Sequence, residues 1–230
     1  MIKAAIFDMY ETLVTLFDGP VYLATQMAED SGIPEDDFLA LWRQTEDDRT
    51  LGKITIDEVI EGILKKYDRY TEEKVNRIMD KRIRYKKEVF DHLHPEIIPM
   101  METLRLSEIR TGLISNCHSE EAKVIRESIL FPYFDAVCLS YDEGIKKPDP
   151  RIYMKCLNKL ELTADDCMYI GDGGSNELVA AKNAGLFPVQ AVWYLKEGTL
   201  QPAKRMPEYI QAETPMAITM LIRTMNQSGK

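Results

Sequence analysis

Short apolar runs recur along the chain, separated by stretches in which apolar positions fall at helical spacing. Ile2–Asp8 is almost continuously apolar, as a strand buried on both faces of a parallel sheet would be. Thr111–Ser115, Ala136–Ser140, Cys167–Gly171 and Pro188–Trp193 repeat the pattern. Between them, Pro95–Leu106 offers a proline in its first turn and sets Ile98, Met101 and Leu104 on one face. Ser119 stands where it would cap a helix striped by Ala122, Ile125 and Ile129. Asn176–Ala184 is a helix of small residues closed by Gly185, and Tyr209–Gln211 and Met216–Met225 add a last strand and helix. This alternation predicts an α/β fold with a doubly wound, Rossmann-like parallel sheet.

Residues 16–88 interrupt the alternation. Phe38–Arg49 reads as one helix, and Ile56–Tyr67 as another opened by a Thr55/Glu58 capping box. In Glu72–Lys87, Val75, Ile78, Met79 and Ile83 recur at helical spacing, and the basic run Lys81–Lys87 reads as a solvated face. The expected organisation is an α/β core (1–15 and 89–230) carrying an all-helical cap (16–88).

Composition narrows the function. A net charge of −9 argues against nucleic acid or an anionic membrane as partner. The four cysteines lack metal-ligand or disulfide spacing and read as reduced, buried thiols. The apolar start is too short for a signal peptide, and no stretch approaches a membrane span, so a cytoplasmic location is expected. Oligomeric state is left open.

In open α/β sheets, sites form beyond the carboxyl ends of the strands. Asp8, Tyr10 and Thr12 follow the first strand; Ser115, Asn116 and Cys117 follow the second. Lys146 and Lys147 follow the third, and Gly171-Asp172-Gly173-Gly174 closes the fourth. A carboxylate, hydroxyls, a lysine and a second carboxylate thus converge at one sheet edge. Each motif alone is a common turn or cap, but their order and spacing are specific.

Phe7-Asp8-Met9-Tyr10-Glu11-Thr12-Leu13, Leu113-Ile114-Ser115-Asn116, Glu143 to Pro150 and Tyr169 to Glu177 together resemble the four motifs of the haloacid dehalogenase superfamily of aspartate-nucleophile hydrolases. The Lys-Pro-Asp-Pro stretch picks Lys147 as the motif lysine, and the cap's place resembles the subgroup with a helical cap after the first motif. The resemblance implies that Asp8 attacks substrate and forms a covalent aspartyl adduct. Thr12, Ser115 and Asn116 would bind the transferring group, and Lys147 would neutralise charge. Asp8, Asp172 and the Tyr10 carbonyl would hold Mg²⁺, with Glu177, in place of a second aspartate, ligating through water.

Two features depart from the family's phosphatases. Tyr10 replaces the acid/base aspartate, as in the family's L-2-haloacid dehalogenases, which also use a cap arginine about thirty residues beyond the nucleophile. Arg43 falls near that distance, where a surface ion pair with Glu46, Asp47 or Asp48 is an equal expectation. Gly171-Asp172 and Glu177 point the other way, because a carboxylate pair repels an anionic substrate unless a metal lies between. The expected function is a Mg²⁺-dependent phosphohydrolase acting on a small phosphorylated metabolite. A dehalogenase-type hydrolase and a catalytically weak phospho-ligand-binding member are the alternatives. His118 is expected to be a solvated loop residue.

Overall fold

A computed structural model describes residues 1–19, 21–195 and 203–228. In chain order it contains β1 (Ala4–Phe7), α1 (Ala24–Ser31), α2 (Glu35–Gln44), α3 (Glu46–Thr50), α4 (Ile56–Lys66) and α5 (Glu72–Glu88). There follow α6 (Ile97–Leu106), β2 (Arg110–Ser115), α7 (Ser119–Glu127), β3 (Ala136–Leu139), α8 (Ser140–Glu143) and α9 (Pro150–Leu160). The chain closes with β4 (Cys167–Gly171), α10 (Glu177–Asn183), β5 (Phe187–Ala191), β6 (Ile210–Ala212) and α11 (Pro215–Ser228).

The six strands form one parallel sheet in the order β3-β2-β1-β4-β5-β6. Every residue of β1, β4 and the last five positions of β2 is buried, which is why these runs lack the polar alternation of a half-exposed strand. One face packs on Met100, Met101, Leu104, Ile125, Ile218 and Ile222 from α6, α7 and α11. The other packs on Tyr153, Cys156, Leu160, Leu178 and Ala181 from α9 and α10. Strand β1 lies between β2 and β4, with Phe7 in register with Leu113 and Ile170. Here the strand order reverses, so the residues after β1 face the crevice where α/β sheets bind ligands.

Helices α1, α2 and α4 and the first part of α5 share a separate apolar cluster that includes Met27, Phe38, Trp42, Ile56, Ile60, Leu64 and Ile78. The capping box opens α4 as expected, with Thr55 Oγ1 accepting from Glu58 N. Phe38–Arg49, however, is two helices rather than one. Thr45 Oγ1 donates to the Trp42 carbonyl at 3.1 Å, and the Arg49 guanidinium reaches the same oxygen, so side chains compete with the helical ladder there. No helix among the described residues is long and apolar enough to cross a membrane.

Two local expectations are corrected. His118, not Ser119, holds the cap position of α7; Ser119 Oγ instead accepts from Ile56 N at 3.1 Å, satisfying a first-turn amide of α4. Helix α7 ends at Glu127, because Ser128 turns extended, so Ile129 leaves the apolar stripe and is 62% exposed. Helix α9, which the apolar pattern did not single out, starts at Pro150 behind Asp149, whose carboxylate accepts from Arg151 N.

Candidate active site

The turn after β1 is tight: Leu13 N and Val14 N both donate to the Met9 carbonyl, and Glu11 N donates to Val14 O at 2.6 Å. Glu11 takes a left-handed φ of 61°, a conformation that costs a non-glycine residue about 1–2 kcal/mol. Its carboxylate offsets part of that cost by accepting from Thr15 Oγ1 and Leu16 N, each at 2.8 Å. Asp8 N donates to Ile170 O at 2.9 Å, anchoring the turn to β4.

Asp8 is buried and its Oδ1 accepts from Lys147 Nζ. Thr12 Oγ1 donates to Asp8 Oδ2 at 3.3 Å. Lys147 Nζ also donates to Glu177 Oε2 at 2.6 Å and to Tyr169 Oη at 3.2 Å, while Tyr169 donates to Glu177 at 2.7 Å. Asn116 brackets the Lys147 backbone: its Oδ1 accepts from Lys147 N at 2.8 Å, and its Nδ2 donates to Lys147 O at 3.0 Å. Its amide therefore positions the lysine and is largely spent on that task. Lys146 points elsewhere, to a surface ion pair with Asp47.

Glycines fit β4 and its loop to this arrangement. A Cβ on Gly171 would lie 2.1 Å from Glu177 Oε1, so only glycine lets the longer glutamate arm fold against the strand. Glu177 Oε1 accepts from Gly173 N at 3.2 Å, and Asp172 Oδ1 from Gly174 N at 2.9 Å. A carboxylate oxygen from each of Asp8, Asp172 and Glu177 lies within 4.8 Å of the other two. Carboxylate oxygens so placed could share one cation.

The electrostatics of the cluster follow from burial. Burial, then Glu177, pushes Asp8 up to about 7 against the pull of Lys147. Burial, Glu177 and Asp8 push Asp172 up to about 8. Lys147 stays charged, because Asp8 and Glu177 outweigh the desolvation that opposes it. Among the described residues, three carboxyl groups thus share one ammonium in a buried site. Two of them hold their protons only because no stronger positive charge faces them, and the all-oxygen donor set suits a hard divalent cation such as Mg²⁺.

Asp8, Tyr10, Glu11, Asn116, Lys147, Asp172, Ser175 and Glu177 line a cavity of about 240 Å³, with Leu16 and Phe17 on its wall. Ser115 is fully buried at the end of β2, its Oγ without a partner. Arg43 is not brought to the site: it lies exposed on α2, outside the cavity lining. The buried arginines of this helical segment are Arg82 and Arg49, the latter stacked 3.6 Å from the Trp42 ring centroid. Nor is Lys81–Lys87 a uniformly solvated face. Arg82 and Lys86 are 4% and 2% exposed and pair with Glu120 and Glu121 of α7 at 2.7 Å each. His118, expected in solvent, has a side chain only 12% exposed, with Nε2 3.4 Å from Glu46 Oε1. The one signal for these residues was Glu120-Glu121, two adjacent acids beside an apolar stripe; it gave no partner.

A family model described as haloacid dehalogenase-like hydrolase matches residues 2–185. A glyceraldehyde 3-phosphate phosphatase from Pyrococcus furiosus is 30% identical over 118 residues, covering 49% of this chain and 48% of that protein. The human N-acylneuraminate-9-phosphatase is 31% identical over 116 residues, 50% of this chain and 45% of its own. The chain thus spans about half the length of these curated relatives. A 2-haloacid dehalogenase structure from Pseudomonas syringae superposes with a TM-score of 0.68 at 21% identity, covering 97% of this chain and 99% of that one, which is a likeness of fold. The parallel sheet, the convergence of motif residues at its switch point and the family match agree: the chain belongs to the haloacid dehalogenase-like hydrolases.

Proposed function

We propose that this hydrolase is a Mg²⁺-dependent phosphatase that acts on a small phosphorylated metabolite through a covalent aspartyl intermediate at Asp8. The observation that carries the reading is the buried triad Asp8, Asp172 and Glu177, balanced among the described residues by Lys147. A metal-free dehalogenase would have to keep Asp8, its nucleophile, ionised beside two further carboxyl groups, although burial and their mutual repulsion hold the Asp8 and Asp172 protons up to about 7 and about 8; a cation would keep all three ionised. The phosphatase relatives support the same side.

Asp8, Asp172, Glu177 and the backbone carbonyl of Tyr10 would hold the ion, which neutralises phosphate charge when bound. The remaining work belongs to the chain. Asp8 attacks phosphorus as the ester P–O bond breaks and the departing oxygen takes a proton from water, and a second water then hydrolyses the aspartyl phosphate to inorganic phosphate; Thr12 holds the second Asp8 oxygen and Lys147 compensates charge on both partners. The unpartnered Ser115 hydroxyl is free to bind a phosphate oxygen, and Asn116 holds Lys147 in place. Residues 16–88 act as a cap over the core of 1–15 and 89–230 and exclude water from the cavity; residues 20, 196–202, 229 and 230 of these ranges lie outside the described part. Arg43 has no role in this reading.

The test uses an aryl phosphate with and without Mg²⁺. Metal-dependent turnover should fall by at least about 10³-fold in Asp8→Asn, since loss of the nucleophile removes the covalent route. Halide release from a 2-haloacid without metal would support the dehalogenase reading instead.

A further inference from the structure

Helices α6 and α11 pack side by side on the sheet yet leave a groove of about 530 Å³ between them, larger than the cavity of about 240 Å³ beside Asp8. Small-molecule sites span about 300–1,000 Å³. Buried Leu104 and Ile222, members of the main core, form the floor. Met216 and the 60% exposed Met220 stand along it, and methionines adapt their shape to an apolar guest. The groove lies where the strands begin: Met1 precedes β1 and Ile109 precedes β2, whereas Asp8 follows β1. A ligand held here leaves the active site open.

Most polar groups along the groove are already spent. Asn226 brackets the Ile2 backbone, its Oδ1 accepting from Ile2 N at 2.6 Å and its Nδ2 donating to Ile2 O at 2.9 Å. Thr103 Oγ1 donates to the Pro99 carbonyl at 2.7 Å, and Thr219 Oγ1 to the Met216 carbonyl at 2.8 Å. Arg223 differs. It is the one charged residue of α11 and the one charged side chain on the groove, and it has no ion pair or side-chain hydrogen bond among the described residues. No carboxylate lines the groove among those residues. Glu102 of α6 is taken up by Arg105 and by Tyr133 Oη, which donates to it at 2.6 Å.

An apolar trough with one unpaired guanidinium selects its guest by charge. A cation would be repelled by Arg223, and a metal ion would find no carboxylate. A second copy seated groove to groove would set Arg223 against Arg223 with no acid between them. A single guanidinium matches one carboxylate, through two parallel N–H···O bonds. We propose that the groove between α6 and α11 binds a small amphipathic carboxylate of the fatty-acid class, its chain on Leu104 and Ile222 and its head on Arg223. This site is separate from the one at Asp8 and does not depend on the phosphatase reading.

The experiment is calorimetric titration of the full chain with decanoate, against butanoate, which lacks the chain, and decan-1-ol, which lacks the charge. Decanoate should bind at one site, at least about tenfold tighter than butanoate through its extra buried methylenes. It should also lead decan-1-ol by about fivefold, as for an ion pair at an exposed arginine. Arg223→Gln should bring decanoate down to the level of decan-1-ol. Met220→Glu, at an exposed position one turn before Arg223, should weaken decanoate by at least as much. No saturable decanoate binding, or an unchanged affinity in either variant, overturns the proposal. So does displacement of decanoate by Mg²⁺ with inorganic phosphate, which would place it at Asp8. A dimer in sedimentation that Met220→Glu dissociates overturns it in favour of a second copy.

Discussion

Tyr10 stands two residues beyond Asp8 with its ring on the cavity and its hydroxyl buried near Glu121 and Glu120 of α7. Burial first, and then Glu121, raise its phenol well above the ordinary tyrosine range, so it is a poor base and a weak acid at neutral pH. A matched acid/base group contributes about 10²–10⁴-fold in rate, and its loss weighs most on substrates with poor leaving groups. Turnover of alkyl phosphates should therefore rise in Tyr10→Asp relative to turnover of aryl phosphates. Steady-state rates on the two classes measure this, and an equal or lower alkyl rate would contradict it. The motif made Asp8, Thr12, Lys147 and Asp172 legible in the sequence, because each sits at a fixed offset from a strand end. It did not reveal that Asn116 is occupied by the Lys147 backbone, since a side-chain amide looks the same whether it faces substrate or chain.

Helix α5 shows where reading elements from spacing stops. Its apolar positions and boundaries are those the 3.6-residue period predicts, yet Arg82 and Lys86, placed among basic neighbours, are buried rather than solvated. Their partners lie on α7, 38 residues on from Arg82 in the case of Glu120, and no local pattern encodes that pairing. Removing one partner of a buried ion pair leaves an uncompensated charge, at about 3–5 kcal/mol. Arg82→Met should lower unfolding free energy by that amount in urea titration; a loss below about 1 kcal/mol would mean that Glu120 finds water. Ser119 makes the same point on a smaller scale. The sequence offered it as a cap for its own helix, and the fold uses it on the first turn of α4.

At the scale of the whole molecule, the buried carboxylates couple stability to pH and metal. Asp8 and Asp172 rise from 3.8 to about 7 and about 8, so the folded protein holds their protons more tightly than the unfolded chain. Their contribution to stability is complete below pH about 4 and is lost as pH climbs through 7 to 8. Groups lowered on folding, such as Asp30 and Glu143, act only at pH below their ordinary range and do not oppose this window. Without metal, the melting temperature should fall between pH 5 and pH 8.5, and Mg²⁺ should shrink or reverse the fall because it binds the ionised carboxylates. A metal-free melting temperature that rises across this window would contradict the charge balance of the site.

What the sequence determined was whatever depends on near neighbours: continuous apolar runs that must be buried on both faces, capping residues, and motif residues that follow each strand. From these came the parallel sheet, the helical segment after β1 and the meeting of Asp8, Lys147 and Asp172 at one sheet edge. Tertiary structure alone decided which charges are buried, how Glu177 folds over Gly171 to reach the cluster, and why Arg49 rather than Arg43 is enclosed. Those outcomes turn on contacts between segments distant in sequence, where desolvation selects one pairing among many, and residue spacing carries no record of it.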